Sequence, residues 1–408
     1  MNTGVIFDFD GVLVDSLNQL VGLYVSISNK FNTTNSNVEY VSDFEILNGK
    51  NIKEISEYIG VKYKSDVTSK EIEYYYKEQL LKLYGDLEIN ESWINIIGVL
   101  KKENINISIA SGCDTDLILI VLKNNGIESF FDAVVGGDQV SKSKPSPDLV
   151  IKCLEQSQWD RAVMIDDSSN GVVAGLLASC RVIKYDAASK VNIYELIKYT
   201  LSHEYSYFGE LNNFSIELQN DVFNEYSELD ENTWNKLKKE GTHNGDVFLV
   251  DPISLISNDN VKLHKSDYKS FRLGVELPIS AVTGVVMHED GSTLCAKRSH
   301  LNFQNKGAWD LVPSGTLSTS NFKMQLDIEW KEESSSNIVL EWGDKCHLIF
   351  DHKDNVIDFV FVSTNNDFPI DKMTSSEVSN FEWVDFRGHN LMNVSASAAF
   401  IVSLMEGV

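Results

Sequence analysis

The feature that most constrains this chain lies near its start, where a short apolar run leads into two aspartates and a glycine at residues 5–16. The run is rich in β-branched and aromatic residues, which is typical of a buried strand in a parallel sheet. Asp8 would then lie at the carboxyl end of that strand, where open α/β sheets place their ligand sites. Asp8 and Asp10 together are costly in a poorly solvated place unless a cation joins them or one stays protonated. The segment therefore predicts an α/β fold with a reactive centre, although Asp-Gly by itself is an ordinary turn.

Three later segments repeat this pattern of an apolar run followed by polar residues. Ser111 and Gly112 follow residues 105–110, and their hydroxyl and N–H groups could hold a phosphoryl oxygen. Lys144 stands in Ser-Lys-Pro-Ser-Pro-Asp, where the prolines fix the approach to a helix and the ammonium could neutralise a transferring phosphoryl group. Asp166 and Asp167 follow residues 162–165 and offer the hard oxygen ligands that suit magnesium. Each segment also has an ordinary reading as a turn, a solvated lysine or a helix start.

In this order, the four segments resemble the four motifs of the haloacid dehalogenase superfamily of phosphotransferases. The resemblance implies a domain over residues 1–200 with a Rossmann-like parallel sheet and a helical cap at about residues 16–90. It implies that Asp8 is a nucleophile that forms an aspartyl phosphate, and that Asp10 is the general acid and then the general base. It further implies that Ser111 and Lys144 hold the phosphoryl oxygens. The implied Mg²⁺ ligands are Asp8, the Asp10 carbonyl, Asp166 and Asp167.

The second acid favours a phosphate ester over an alkyl halide, because a dehalogenase needs no acid for its leaving group. Leu20 stands where relatives of β-phosphoglucomutase carry a histidine, so we expect a phosphatase and keep a phosphomutase as the alternative. The expected substrate is a small phosphorylated metabolite, with a sugar phosphate favoured. Gly112, Lys50 and Lys53 are candidates for binding it, although a single surface lysine is usually only solvated.

The C-terminal half contains a predicted hairpin at residues 281–298, the string 309–315 and an acidic helix. This order resembles a Nudix domain, which implies an α+β mixed-sheet core at about residues 276–408 behind an extension that begins at residue 201. Because Glu329, Glu332 and Glu333 are three and four residues apart, they share a helix face and are candidates for a second metal site. Ile328 and Ser335 replace the arginine and glycine of the Nudix pattern, and Asn321 stands in the region of its first glutamate. Two interpretations of this half remain open. It binds or hydrolyses a nucleoside diphosphate derivative, and hydrolysis would make the protein a bifunctional enzyme. Alternatively, it is a non-catalytic binding or dimerisation module.

Composition narrows the partners and the location. A length of 408 residues favours two domains, and a net charge of -25 argues against nucleic acid or an anionic membrane as partner. The five scattered cysteines lack a Cys-x-x-Cys pair, which favours the reducing cytoplasm. The sequence shows no signal-peptide pattern and no bilayer-spanning apolar segment. We therefore expect a cytoplasmic protein, and a homodimer remains open.

Overall fold

The protein is described by a computed structural model. It covers residues 2–34, 38, 43, 47, 50–189, 191–212, 215–219, 246–257, 260–267, 277–298, 308–373, 378–386 and 394–405. The chain forms two compact units, residues 1–189 and 190–408. The predicted boundary at residue 200 instead lies inside a helix, Ile193–Ser202, which belongs to the second unit.

The first unit is built on a five-stranded parallel sheet in the order β3-β2-β1-β4-β5. In its centre, Phe7 pairs with Ile109 on one side and with Ile165 on the other. The interior of each of these three strands is almost wholly apolar and buried, as expected for a sheet covered on both faces. The predicted Rossmann-like α/β sheet is confirmed. Its strands are β1 (Thr3–Phe7), β2 (Asn106–Ala110), β3 (Val134–Val135), β4 (Arg161–Asp166) and β5 (Arg181–Lys184).

Helices follow each of the first four strands and also fill the long segment between β1 and β2. Helices α2 and α3 both begin with a capping box, at Asn51 and Thr68, in which the side chain of the cap and that of the third helical residue exchange hydrogen bonds with the backbone. The helices of this unit are α1 (Leu17–Phe31), α2 (Ile52–Lys62), α3 (Ser69–Gly85), α4 (Glu91–Lys102), α5 (Thr115–Asn124), α6 (Asp148–Ser157) and α7 (Ser169–Leu177). Helices α1 to α3 lie within the predicted cap.

A buried aspartate joins the cap helices. Asp43 is 1% exposed and accepts hydrogen bonds from the hydroxyls of Tyr24, Tyr58 and Tyr63, at 2.9–3.0 Å. The ammonium of Lys62 also contacts this carboxylate. Burial by itself raises the pKa of Asp43, but the four donors outweigh burial and lower it. The ionised carboxylate therefore ties α1 to α2.

The second unit is dominated by β-structure. Its strands pair in the order β6-β14-β15-β10-β8-β9-β7, while β13 also pairs with β10, and β11 pairs with β10, β12 and β16. Strands β10 and β11 form the predicted hairpin, in which Met287 pairs with Thr293. The strands are β6 (Tyr205–Asn212), β7 (Ser215–Gln219), β8 (Asp246–Val250), β9 (Asn260–Asp267), β10 (Ile279–His288), β11 (Thr293–Arg298), β12 (Trp309–Leu311), β13 (Ser314–Thr316), β14 (Lys345–Asp351), β15 (Val356–Asn366) and β16 (Val378–Val384).

The helices of the second unit are α8 (Ile193–Ser202), α9 (Pro252–Ser257), α10 (Phe322–Ser334) and α11 (Ala396–Met405). Helix α10 is the predicted acidic helix. Within the parts of the chain that the structure describes, no helix has both the length and the apolar character needed to cross a bilayer. All five cysteines are free and buried.

Candidate active site

Polar side chains converge where three neighbouring strands of the first unit end. Asp8 follows β1, Ser111 follows β2, and Asp166 is the last residue of β4. The N–H of Asp8 still donates to the Ile165 carbonyl at 2.8 Å, so the pairing of β1 with β4 continues to Asp8. Parallel strands end at one edge of the sheet, and the sequence pattern therefore places these groups together.

Lys144 reaches this edge from the loop before α6. Its ammonium lies 2.8 Å from Asp8 Oδ1 and 2.7 Å from Asp166 Oδ2, and its side chain is 0% exposed. Burial lowers the pKa of Lys144, but the two carboxylates outweigh burial and raise it. The ammonium therefore stays charged between two carboxylates.

Asp8, Asp166 and Asp167 each bring a carboxylate oxygen to within 4.8 Å of the others. Burial, followed by repulsion from Asp166, raises the pKa of Asp8 to about 7 and that of Asp167 to about 8, against the lowering effect of Lys144. Asp167 Oδ1 is buried without a hydrogen-bond partner. One ammonium does not neutralise three carboxylates, so the cluster fits a divalent cation with hard oxygen ligands such as Mg²⁺.

Two glycines make room for these carboxylates. A Cβ on Gly171 would lie 1.7 Å from Asp166 Oδ2, so any larger residue would displace that carboxylate. Gly11 has a φ of +83°, and a Cβ there would lie 2.4 Å from Asp167 Oδ2. The group that occupies the space beside Gly11 is therefore the carboxylate of Asp167.

Asp10 is held apart from this cluster by two hydroxyls. Ser16 Oγ donates to Asp10 Oδ1 at 2.6 Å, and the hydroxyl of Tyr84 lies 2.7 Å from both carboxylate oxygens. Burial raises the pKa of Asp10, while these hydrogen bonds from Ser16 and Tyr84 lower it. Ser16 stands at the N-terminus of α1, but its side chain makes no capping hydrogen bond, because its hydroxyl is turned to Asp10.

A pocket opens beside Asp8 and Asp10, and three of the predicted binding residues, Ser111, Gly112 and Lys50, line it. Lys53 is exposed on α2 and is not among the described residues that line the pocket. Apart from Leu20, sequence reasoning did not identify the remaining lining, which includes the tyrosines of α1 and α3. The only sequence signal for the α3 residues was their spacing of four residues along the helix, which indicates a packed helix face and not a binding site. The other lining residues are Leu20, Tyr24, Leu47, Ile52, Ile55, Tyr76, Leu80, Tyr84 and Cys113.

The three glutamates of α10 have different surroundings. Glu329 accepts a hydrogen bond from Gln325 Nε2 at 2.7 Å, and Glu333 accepts one from the N–H of Ser314 at 3.0 Å. Glu332 is exposed. Over the described ranges of the chain, only the aspartate cluster of the first unit brings three possible metal ligands together. A metal site at the glutamates therefore remains a prediction.

The first unit therefore has an α/β fold in which a helical insert follows β1 and the strand ends bring together the carboxylate of Asp8, a buried lysine and an acidic pair. Residues 5–185 match the family of haloacid dehalogenase-like hydrolases. The N-terminal half of the chain is a haloacid dehalogenase-like hydrolase domain, and the prediction of an enzyme, a phosphatase, is confirmed.

Among curated proteins, this half is similar to the pyrophosphatase PpaX of Listeria welshimeri. The two are 28% identical over 176 residues, which are 42% of this chain and 78% of the relative. Among solved structures, CbbY of Rhodobacter sphaeroides in complex with xylulose bisphosphate matches with a TM-score of 0.40 and 20% identity, over 45% of this chain and 85% of that one. β-Phosphoglucomutase of Clostridium difficile matches with a TM-score of 0.38 and 21% identity, over 45% of this chain and 84% of that one.

Proposed function

We propose that the first unit is a Mg²⁺-dependent phosphomonoesterase that acts on a small phosphorylated metabolite through an aspartyl phosphate. The observation that carries this proposal is the buried ammonium of Lys144, 2.8 Å from Asp8 and 2.7 Å from Asp166, beside the orphaned carboxylate oxygen of Asp167. Two further buried carboxyls, Asp10 in the pocket lining and Asp167 in the cluster, also have raised pKa values, which is typical of a functional site.

Asp8 is the proposed nucleophile, and one of its carboxylate oxygens attacks the phosphorus. The bond from phosphorus to the alcohol oxygen breaks, and Asp10 donates its proton to that oxygen. The resulting Asp10 carboxylate then takes a proton from a water molecule that attacks the aspartyl phosphate, which frees inorganic phosphate and regenerates Asp8. General acid–base help of this kind contributes about 10²- to 10⁴-fold in rate.

The side chains around Asp8 prepare it for this reaction. Lys144 favours the ionised carboxylate and, together with Ser111, would hold phosphoryl oxygens. Asp8, the Asp10 carbonyl, Asp166 and Asp167 would hold Mg²⁺, which when bound would neutralise charge on the transferring group. Ser16 and Tyr84 direct Asp10 toward the leaving oxygen instead of the metal ligands.

Hydrolysis is favoured over phosphoryl transfer between two hydroxyls of one sugar. A mutase must protect its aspartyl phosphate from water, and the resemblance identifies a histidine at position 20 as part of that machinery. Leu20 occupies the position and lines the pocket. An alkyl side chain can neither donate nor accept the proton that such a helper handles, so water remains the expected acceptor.

Phosphate release from a panel of phosphorylated metabolites tests the proposal. The wild type with Mg²⁺ should release phosphate, while Asp8→Asn and wild type with a chelator should not. Asp132→Asn is a suitable control, because this half-exposed carboxylate lies outside the pocket. Equal release by wild type and Asp8→Asn would refute the assignment of the nucleophile.

For the second unit, we infer a Nudix-like domain that binds, or also hydrolyses, a nucleoside diphosphate derivative. Two local geometries support the resemblance. Gly315 packs so closely on α10 that a Cβ would lie 2.2 Å from the Glu329 carboxyl. Ser335 adopts the left-handed conformation, with a φ of +49°, that the glycine of the Nudix pattern would favour. Ser335 therefore ends the helix in a backbone conformation that is compatible with the Nudix pattern.

Nucleotide cleavage by the full chain separates the open alternatives. Cleavage that is lost in Glu332→Gln, with phosphatase activity retained, would support a second active site. Binding of a nucleoside diphosphate derivative without turnover would support a binding module. A full chain that neither binds nor cleaves such compounds, with Mg²⁺ or Mn²⁺ present, would refute this inference.

A further inference from the structure

Among the residues that the structure describes, the lining of the pocket beside Asp8 is largely apolar apart from the catalytic groups. Five aliphatic side chains contribute to it, drawn from α1, α2, α3 and the segment before α2. Lys50 is the only cation among the described lining residues, and its ammonium lies 4.0 Å from Glu54. The aliphatic residues are Leu20, Leu47, Ile52, Ile55 and Leu80.

The tyrosines of this pocket offer fewer hydrogen bonds than their number suggests. A tyrosine hydroxyl has a single proton to donate. Tyr24 donates it to Asp43 at 3.0 Å, and Tyr84 donates it to Asp10 at 2.7 Å. Asp43 also accepts hydrogen bonds from Tyr58 and Tyr63, so the hydroxyl of Tyr24 is fixed in the interior of the cap. Both residues therefore present mainly ring carbon to a ligand.

The chemistry of this lining distinguishes two kinds of phosphate ester. A polyol would give up hydrogen bonds to water for each hydroxyl that enters and would find few partners, which costs free energy. An alkyl or aromatic group would leave water and gain contacts with aliphatic side chains and rings. The lining therefore discriminates against a sugar and in favour of an apolar alcohol.

We propose that the substrate is the phosphate monoester of an alcohol with an aliphatic or aromatic body, and not a sugar phosphate. This inference rests on the proposed phosphatase function and specifies its substrate class. The phosphoryl group would lie at Asp8, with the alcohol oxygen toward Asp10. The apolar body would lie against Leu20, Ile55 and Leu80, with the rings of Tyr24 and Tyr76 beside it.

A matched pair of substrates tests the inference on the wild type. Hexyl phosphate and sorbitol phosphate are both esters of a primary alcohol with the same carbon skeleton, and they differ in the hydroxyls on the body. We expect kcat/KM for hexyl phosphate, and for phenylethyl phosphate, to exceed that for sorbitol phosphate and glucose phosphate by about tenfold or more, which corresponds to about 1.4 kcal/mol. Initial rates of phosphate release with Mg²⁺ measure this ratio.

A variant links the preference to the lining. Ile55→Gln places an amide in the pocket and should lower kcat/KM for hexyl phosphate about tenfold, with little change for sorbitol phosphate. Ile151→Gln is the matched control, because Ile151 is 40% exposed on α6 and outside the pocket, and it should change neither value.

The possible failures are distinguishable. Preference for the sugar phosphates by the wild type would overturn the inference and leave the phosphatase proposal intact. Release of phosphate from none of the four esters, nor from a wider metabolite panel, would instead refute the phosphatase proposal. An equal loss on both esters in Ile55→Gln would show that the aliphatic wall does not set the preference, which would also overturn the inference.

Discussion

Replacement of Lys144 with methionine removes the only ammonium that the structure gives to the three clustered carboxyls. The ammonium lies 2.8 Å from Asp8 Oδ1 and 2.7 Å from Asp166 Oδ2, and the lysine side chain is 0% exposed. Methionine has a similar length and fills the same space, so the change removes charge with little loss of packing. The variant therefore isolates what the positive charge contributes to folding.

The expected cost follows from burial. Removal of one partner from a buried ion pair typically costs 3–5 kcal/mol, because a charge stays buried without compensation. For a unit of 189 residues, this corresponds to a fall in Tm of roughly 6–20 °C. The free-energy cost in the variant is smaller than that of burying several uncompensated charges, because carboxyls that lose the ammonium can remain protonated.

The loss should depend on pH with a defined sign. The pKa of Asp8 is already raised from 3.8 to about 7, and without Lys144 it rises further. Some carboxyls have a higher pKa in the folded than in the unfolded protein. Such a group destabilises the fold increasingly as the pH rises from its unfolded pKa to its folded pKa. The difference in Tm between variant and wild type should therefore be largest at about pH 8 and clearly smaller at about pH 5, where Asp8 and Asp167 are largely protonated.

Differential scanning calorimetry of the full chain at both pH values measures this difference. Hydrogen exchange of peptides from β1 and β4 assigns the transition to the first unit. Lys142→Met is the matched control, because this lysine is exposed in the same loop and should leave Tm unchanged. A fall in Tm below about 2 °C, or the same fall at both pH values, would show that the ammonium does not compensate the cluster.

Three further predictions follow from the hydrogen bonds and charges of the first unit. Tyr84→Phe should lower kcat about 10- to 100-fold, because a hydrogen bond to a charged group is worth about 1.5–3 kcal/mol. Loss of this hydrogen bond also raises the pKa of Asp10, so the high-pH limb of the kcat/KM profile should move to higher pH. An unchanged pH profile would count against the contact between Tyr84 and Asp10. Asp167→Asn should raise Tm of the metal-free protein at about pH 8, because the variant lacks a buried carboxyl, with a pKa of about 8, that the wild type must ionise as the pH rises. It should also remove the increase in Tm on addition of Mg²⁺, because a proposed ligand of the cation is lost. Asp43→Asn should lower Tm by several degrees and speed proteolysis between α1 and α2, and unchanged proteolysis would contradict its role as their tie.

The sequence determined the parallel sheet and the residues at its strand ends. Short, mainly apolar runs followed by Asp8, Ser111 and Asp166 are local patterns, and the geometry of parallel strands then brings their ends to one edge. Lys144 could be assigned because its Ser-Lys-Pro-Ser-Pro-Asp segment resembles a family motif, and its ammonium does lie beside Asp8 and Asp166. These inferences succeed because strand period and turn chemistry act over a few neighbouring residues.

The C-terminal half illustrates where such reasoning is weaker. The hairpin of β10 and β11 and the acidic helix α10 form as predicted, because alternation and cap residues are again local signals. The surroundings of Glu329 and Glu333 depend instead on contacts with Gly315 and Ser314, more than ten residues earlier in the chain. Spacing along a helix predicts a shared face, but it does not predict what that face meets.

Only the tertiary structure decided which side chains surround the reactive carboxyls. The chain has 15 tyrosines, and nothing local distinguishes Tyr84, which binds Asp10, from Tyr74, which is 69% exposed on the same helix. The partner of Ser16 likewise depended on how the chain folds between Asp10 and Ser16. Helix periodicity tells which residues share a face, whereas the orientation of that face follows from packing between segments far apart in the chain.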